Sequence, residues 1–229
     1  MKNKFCLVVL MFFSFPSWLF AQTSISGRVA YEGTPPPAEK IEVKSDMATC
    51  GSAKKVNRLI LGQNNGIANA VVTIIGVKAK GALTSKEGVL DQVKCEFTPH
   101  VQVLPAGSTL KVTSSDPVLH NTHGFYEDGS TAFNVIVSIA GMEMKTRLKQ
   151  TGVVKLRCDA GHTWMNAYVV VTDQPFYAVT DENGDFKIDN VPPGNYEVEV
   201  WQEWLGKHRE PLVVQEGSAP VTITLRKPS

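Results

Sequence analysis

The sequence predicts an all-β protein built from two sandwiches, one interrupting the other. Gly and Pro are plentiful, with 18 and 13 residues among 229, and Val and Thr are common. Segments in which apolar and polar residues alternate recur between turn signals, whereas helical periodicity is scarce. Apolar residues make up 43% of the chain, which fits a folded globular protein.

The first residues predict an export signal. Lys2 and Lys4 give a positive start, an apolar stretch follows, and Ala21 is a small residue suited to cleavage. The apolar stretch is short for a membrane span, and Pro16 interrupts it. We therefore expect residues 1–21 to be removed, leaving a periplasmic or secreted protein with no membrane insertion.

The strands are predicted in order from period-two runs. The segment 138–150 is read as a strand with a bend, and Asn183-Gly184 predicts a hairpin turn. The remaining predicted strands lie within residues 24–31, 41–43, 67–77, 97–116, 152–158, 166–172, 176–188, 194–202 and 220–226.

The charge is balanced, with 23 Lys and Arg against 22 Asp and Glu and a formal net charge of +1. Nucleic acids and anionic membrane surfaces attract strongly basic proteins. This composition therefore argues against a nucleic-acid partner.

Three cysteines remain once the signal is removed: Cys50, Cys95 and Cys158. An oxidising compartment pairs two of them and leaves one over. Cys158 is flanked by other potential metal ligands, so a Cys50–Cys95 disulfide with Cys158 as a ligand is the economical division. A disulfide that uses Cys158 stays open as the alternative.

A thiol, an imidazole and a thioether lie on one loop between two predicted strands, at Cys158, His162 and Met165. His120 follows another predicted strand and is expected to bring a second imidazole to the same end. Two imidazoles, one thiolate and a weak thioether suit copper in a trigonal site with a long axial ligand. Each residue alone could be packing or surface, but the joint pattern predicts one copper ion bound by these four.

Other residues near these ligands have predicted roles too. Asn121 is expected to hold the two ligand loops together by hydrogen bonds. His123 is a possible additional ligand, although a neighbouring position without ligation is favoured. His100 and His208 are expected to be packed or solvated.

Two discontinuous segments, 22–92 and 173–229, resemble the carboxypeptidase regulatory-like, transthyretin-like β-sandwich. That family has an opening Gly-x-Val strand, an Ala-x-Val strand, a T-D-x-x-G-x-F hairpin and a V-P-P-G-x-Y turn. The matching residues are Gly27, Val29, Ala70, Val72, Thr180, Asp181, Gly184, Phe186, Val191, Pro192, Pro193, Gly194 and Tyr196.

The intervening residues 93–172 resemble a small cupredoxin of the amicyanin or plastocyanin type, a Greek-key blue copper domain. The motifs are "HNTH" at 120–123 and the Cys-x3-His-x2-Met loop at 158–165. The binuclear copper loop of cytochrome oxidase subunit two needs a second Cys where this chain has Val154, which disfavours a two-copper centre.

The cupredoxin resemblance implies a non-enzymatic protein that transfers single electrons. It implies that His162 reaches the surface and that a small redox partner, such as a c-type cytochrome or a dehydrogenase, docks there. Two other functions stay open. One is copper carriage or sensing, and the other is a protein- or glycan-binding module whose cupredoxin-like insert is degenerate.

Overall fold

The computed structural model describes residues 23–77, 81 and 83–227, and the all-β prediction is confirmed. The predicted signal peptide at 1–21 lies outside the described residues. Within the described ranges, the helical structure is one α-turn, α1 (Met47–Cys50), and one 3-10 turn (Gln63–Asn65). None of the helical segments in this part of the chain has the length and apolar character to cross a membrane.

The strands are numbered in chain order. They are β1 (Thr23–Tyr31), β2 (Glu39–Glu42), β3 (Ala53–Val56), β4 (Val71–Ile75), β5 (Glu87–Val93), β6 (Glu96–Thr98), β7 (Val101–Pro105), β8 (Thr109–Thr113), β9 (His120–Phe125), β10 (Thr131–Val137), β11 (Glu143–Arg147), β12 (Gly152–Arg157), β13 (Asn166–Thr172), β14 (Tyr177–Val179), β15 (Asp185–Val191), β16 (Gly194–Gln202), β17 (Gly206–Val214) and β18 (Val221–Leu225).

The first sandwich joins the two ends of the chain. A sheet of order β15-β1-β18 faces a sheet of order β14-β4-β16-β17. Their shared core includes Val29, Val72, Ile74, Val200 and Ile223. Strand β1 pairs in parallel with β18, so the start and the end of the described chain lie side by side.

The second sandwich carries the predicted ligands. A sheet of order β10-β9-β12-β13-β7 faces a sheet of order β11-β8-β5-β6. Leu90, Leu110, Leu156 and Val169 are fully buried between them. The β2–β3 hairpin packs against this same core through Ile41 and Val56, and the following Val43 is buried in it.

The second sandwich therefore holds more of the chain than the predicted range 93–172. Strand β5 pairs with β6 and β8, and residues 39–56 contribute to the second core. Both segments lie within residues 22–92, which the sequence analysis predicts to belong to the first sandwich.

The two sandwiches stack face to face, which gives four sheet layers. Val71 and Trp201 of the first pack against Val101 and Val153 of the second. Strand β13 is apolar on both sides, with Ala167, Val169 and Val171 facing the second core and Tyr168 and Val170 facing the interface. Strands buried on both faces read as continuous apolar runs, which explains the three consecutive valines of β13.

The predicted hairpin at Asn183-Gly184 is wrong, although the turn is present. Strand β14 pairs with β4 and strand β15 pairs with β1, so the flanking strands belong to different sheets. The Thr180 hydroxyl donates to Ile67 O at 2.6 Å and accepts from Ala70 N at 2.9 Å, which holds the chain toward β4. Gly184 has φ +80, and a Cβ there would lie 2.5 Å from Val29 O.

Tyr168 makes the interface sensitive to high pH. Burial, and then the neighbouring Glu203, raise the pKa of the Tyr168 phenol well above its ordinary value. The folded chain thus keeps a proton that the unfolded chain releases near pH 10, so stability is full below that pH and falls as pH rises through the folded pKa. Above pH 10 we expect this group to lower the free energy of unfolding of the wild type by up to about 1 kcal/mol per pH unit. Tyr168→Phe should abolish this decrease.

The measurement is denaturant unfolding between pH 9 and pH 11.5. Tyr177→Phe, a half-buried tyrosine on β14, is the matched control. An alkaline slope unchanged by Tyr168→Phe would contradict this assignment.

Candidate metal centre

Three donor atoms converge at one end of the second sandwich. His120 begins β9, and Cys158 and His162 lie on the β12–β13 connection. The His120 and His162 Nδ1 atoms are 3.0 Å apart, and Cys158 Sγ is 3.7 Å from His162 Nδ1. The donor atoms of the three residues lie within 4.8 Å of one another, and all three residues are buried.

Strand pairing fixes this convergence. Strand β9 pairs with β12 through Gly124 and Leu156, so the start of β9 and the end of β12 meet at the same edge. The Asn121 N–H donates to Cys158 Sγ across this pair at 3.4 Å. The Met165 N–H donates to His162 O at 2.9 Å and closes the loop before β13 begins.

Met165, the fourth predicted ligand, lies at the end of the same loop, directly before β13. Its side chain is 1% exposed and packs in the same core as Cys158. A thioether is a soft, weak donor that suits an axial position. Its place on the loop is compatible with that role.

Each imidazole is oriented by a carboxylate. His120 Nε2 lies 2.9 Å from Asp116 Oδ2, and His162 Nε2 lies 3.0 Å from Asp46 Oδ2. An ionised carboxylate only accepts hydrogen bonds, so each ring donates its Nε2–H and keeps the Nδ1 lone pair facing inward. Sequence reasoning missed both carboxylates. The signal for Asp116 was its position four residues before His120, whereas Asp46 is distant in sequence from every predicted ligand.

Two inward lone pairs only 3.0 Å apart require a cation or a proton between them. Burial, opposed by the hydrogen bond to Asp116, lowers the pKa of His120. The lowered pKa disfavours a proton on His120, and a metal cation between the rings would satisfy both nitrogens. Two nitrogens with one sulfur is a donor set that copper prefers, so these residues fit that metal.

The environment of Cys158 is mixed. Burial raises the pKa of its thiol, while backbone N–H groups of Asn121, Ala160 and His162 act in the opposite direction. These donors favour the thiolate once a metal compensates its charge. Without a metal the group stays a thiol.

Asn121 has the contacts expected of a residue that links the loops. Its side-chain N–H₂ donates to Val135 O at 3.2 Å, and its Oδ1 accepts from Asp159 N at 3.2 Å. It therefore ties β10 and the Cys158 loop to β9.

His123, the possible additional ligand, lies outside the donor group. Its Nδ1 is 2.6 Å from Asp159 Oδ2 and its Nε2 is 3.0 Å from Thr131 Oγ1, so both ring nitrogens have other partners. His100 bonds to Glu203 and to Asn166 O, and His208 is exposed beside Glu210.

The predicted pairing of the cysteines is confirmed. Cys50 and Cys95 form a disulfide, and Cys158 is the free thiol in the described part of the chain. The disulfide lies beside the centre, because its sulfurs are within 4.8 Å of a His162 nitrogen. Trp164 Nε1 donates to Cys95 O at 2.9 Å, which links the ligand loop to the disulfide. Sulfurs bonded to each other are not thiolate ligands.

The expectation that His162 reaches the surface is wrong. Its side chain has no solvent exposure, whereas Asp46, which lies over its Nε2, is 40% exposed. The residues that cover it belong to the β2–β3 hairpin region, which the sequence placed in the other sandwich.

The free thiol gives a direct test of this environment in the metal-free protein. Because only a thiolate reacts and Cys158 is buried with a raised pKa, we expect iodoacetamide at pH 8 to label it at least about tenfold more slowly than it labels glutathione. Mass spectrometry measures the rate, and labelling after unfolding in guanidinium is the control. Equal rates for the folded protein and glutathione would refute the buried assignment.

Comparison with known proteins yields one family match and several similar structures. The family model of the carboxypeptidase regulatory-like domain matches residues 151–226, a third of the chain, and confirms that resemblance. The match begins before the predicted boundary at 173 and includes β12 and β13, which the structure places in the second sandwich. A search of curated proteins yields no match.

Cupredoxins are prominent among the similar solved structures. A purple cupredoxin from Nitrosopumilus maritimus is 22% identical, with 37% of this chain and 99% of that one covered and a TM-score of 0.33. Amicyanin from Paracoccus versutus is 15% identical, with 44% and 97% covered and a TM-score of 0.34. A copper-containing nitrite reductase from Thermus scotoductus is 19% identical, with 43% and 25% covered and a TM-score of 0.32.

Proposed function

We propose that this chain is an exported copper protein that binds one ion and transfers single electrons without catalysing a reaction of its own. The observation that carries this proposal is the buried approach of two imidazole Nδ1 atoms and one thiol sulfur. Bound copper would supply a one-electron couple. His120, Cys158 and His162 would hold the ion, and Met165 would supply a weak thioether donor.

The surrounding chain would keep the ligands in place during electron transfer. Asp116 and Asp46 hold the two rings, and Asn121 holds the thiol loop. Trp164 packs beside His162 with ring centroids 5.3 Å apart and helps to exclude water. Ligands fixed by a packed sandwich move little between the two charge states, which favours fast transfer.

The proposed partner is a small redox protein such as a c-type cytochrome or a dehydrogenase, and the proposed compartment is the periplasm or the exterior. A native disulfide supports an oxidising compartment. Electron-transfer contacts are small and transient, so no large apolar interface is needed.

Copper carriage is the second candidate function, and the burial of His162 favours it. A carrier retains its ion behind a closed surface and has no need for an exposed ligand edge. Electron self-exchange, measured by NMR line broadening in mixed oxidation states, separates the two functions. Fast exchange supports electron transfer, and negligible exchange with tight Cu(I) binding supports carriage.

Reconstitution with Cu(II) tests the ligand set. We expect one equivalent to give intense visible absorption, because a short copper–thiolate bond absorbs strongly. Cys158→Ala should abolish the colour, and His120→Ala should reduce copper affinity by about tenfold or more. Met165→Leu should keep the colour and shift the reduction potential.

His208→Ala, at an exposed histidine on β17, is the matched control and should leave the spectrum unchanged. Visible absorption and electron spin resonance are the measurements. A wild-type protein that stays colourless with stoichiometric Cu(II) would overturn the proposal.

A further inference from the structure

A short segment covers the metal centre on the His162 side. Asp46 lies outside the β-sheets and its carboxylate Oδ2 is 3.0 Å from His162 Nε2. His162 has no exposed surface, although it lies on a loop at the end of the sandwich. The segment around Asp46 therefore closes the outer edge of this imidazole.

This segment is fastened at several points. Its base is closed by the Val43 N–H, which donates to Ser52 O at 3.0 Å. Its tip is a tight turn in which Thr49 N and Cys50 N donate to Asp46 O at 2.9 and 2.8 Å. The Cys50–Cys95 disulfide then bonds the turn covalently to the β5–β6 connection.

The same disulfide reaches the other imidazole through Cys95. The Cys95 N–H donates to Asp116 Oδ2 at 2.7 Å, and that oxygen also lies 2.9 Å from His120 Nε2. The two aspartates that orient the rings are thus each hydrogen-bonded to one cysteine of the disulfide, Asp116 through its carboxylate and Asp46 through its backbone carbonyl.

We propose that residues 43–52 form a cap over the metal centre, in which Asp46 is a positioning residue for His162 and the Cys50–Cys95 disulfide is the anchor. The closure itself is a property of the metal-free chain. Its consequence for copper retention rests on the proposed function. A partner that needed direct contact with the His162 ring would meet the cap instead.

The metal-free protein decides whether the cap closes. Diethyl pyrocarbonate acylates accessible neutral imidazole nitrogens, and mass spectrometry locates them. We expect wild-type His162 to be modified at least about tenfold more slowly than His208, whose side chain is 43% exposed. Equal rates in the wild type would overturn the cap, and this comparison needs no variant to fold.

Variants then test the positioning residue and the anchor. Asp46→Ala and the Cys50→Ser, Cys95→Ser double variant should each raise the His162 modification rate by about tenfold or more. Asp46→Asn keeps an acceptor oxygen and should restore most of the protection. Asp189→Asn, at an exposed carboxylate on β15, is the matched control. Folded variants, checked by circular dichroism, that protect His162 as the wild type does would refute both assignments.

The copper-loaded protein tests the consequence. After reduction by ascorbate, transfer of Cu(I) to bicinchoninate should be about tenfold faster from Asp46→Ala than from wild type, with Asp46→Asn close to wild type. Identical transfer rates would refute the retention role. If the wild type binds no copper, the proposed function fails, and the imidazole labelling still decides the cap.

Discussion

The close approach of two imidazole lone pairs to a buried sulfur is the constraint on which this structure depends. Such an arrangement is unfavourable unless a cation or a proton lies between the two nitrogens, and it is held by hydrogen bonds on the far side of each ring. Asp116 is 4% exposed, so the site buries a carboxylate as well as the sulfur that would become a thiolate. A divalent cation would balance both negative charges, and this balance makes the polar interior tolerable in the absence of water.

The two sandwiches divide the task of building this site. The second supplies the ligands at the ends of β9 and β12, and its core fixes their spacing. The first sandwich contains strands β1 and β4, and the chain that connects these two strands extends to the second sandwich and returns. Asp46 and Cys50 lie in this connection. The connection between β1 and β4 therefore contributes directly to the centre, and the first sandwich packs against the second through Trp201 and Val71.

Sequence patterns predicted the features that are local along the chain. The spacing of Cys158, His162 and Met165 and the "HNTH" segment located the candidate ligands, and alternating runs located most of the strands. Features set by distant contacts escaped prediction. Asp46 reaches His162 across 116 residues, and nothing in "SDMATC" signals that contact. The Asn183-Gly184 turn has the composition of a hairpin, but Thr180 and Gly184 bond or pack against residues 66–70 and divert the flanking strands into separate sheets.

The ligand-bearing sandwich is built from more than one stretch of sequence, because it includes strand β5 and the β2–β3 hairpin. A fragment cut at 93–172 would lack the strand that joins β8 to β6, the partner of Cys95 and the carboxylate over His162. Such an excised piece would have an unpaired sheet edge and a second free thiol, at Cys95, in addition to Cys158, and it would be prone to aggregation. The ligand-bearing sandwich therefore cannot be separated from the rest of the chain as the fragment 93–172. Transplanting it into another protein would require including the connection between β1 and β4, which holds Asp46 and Cys50.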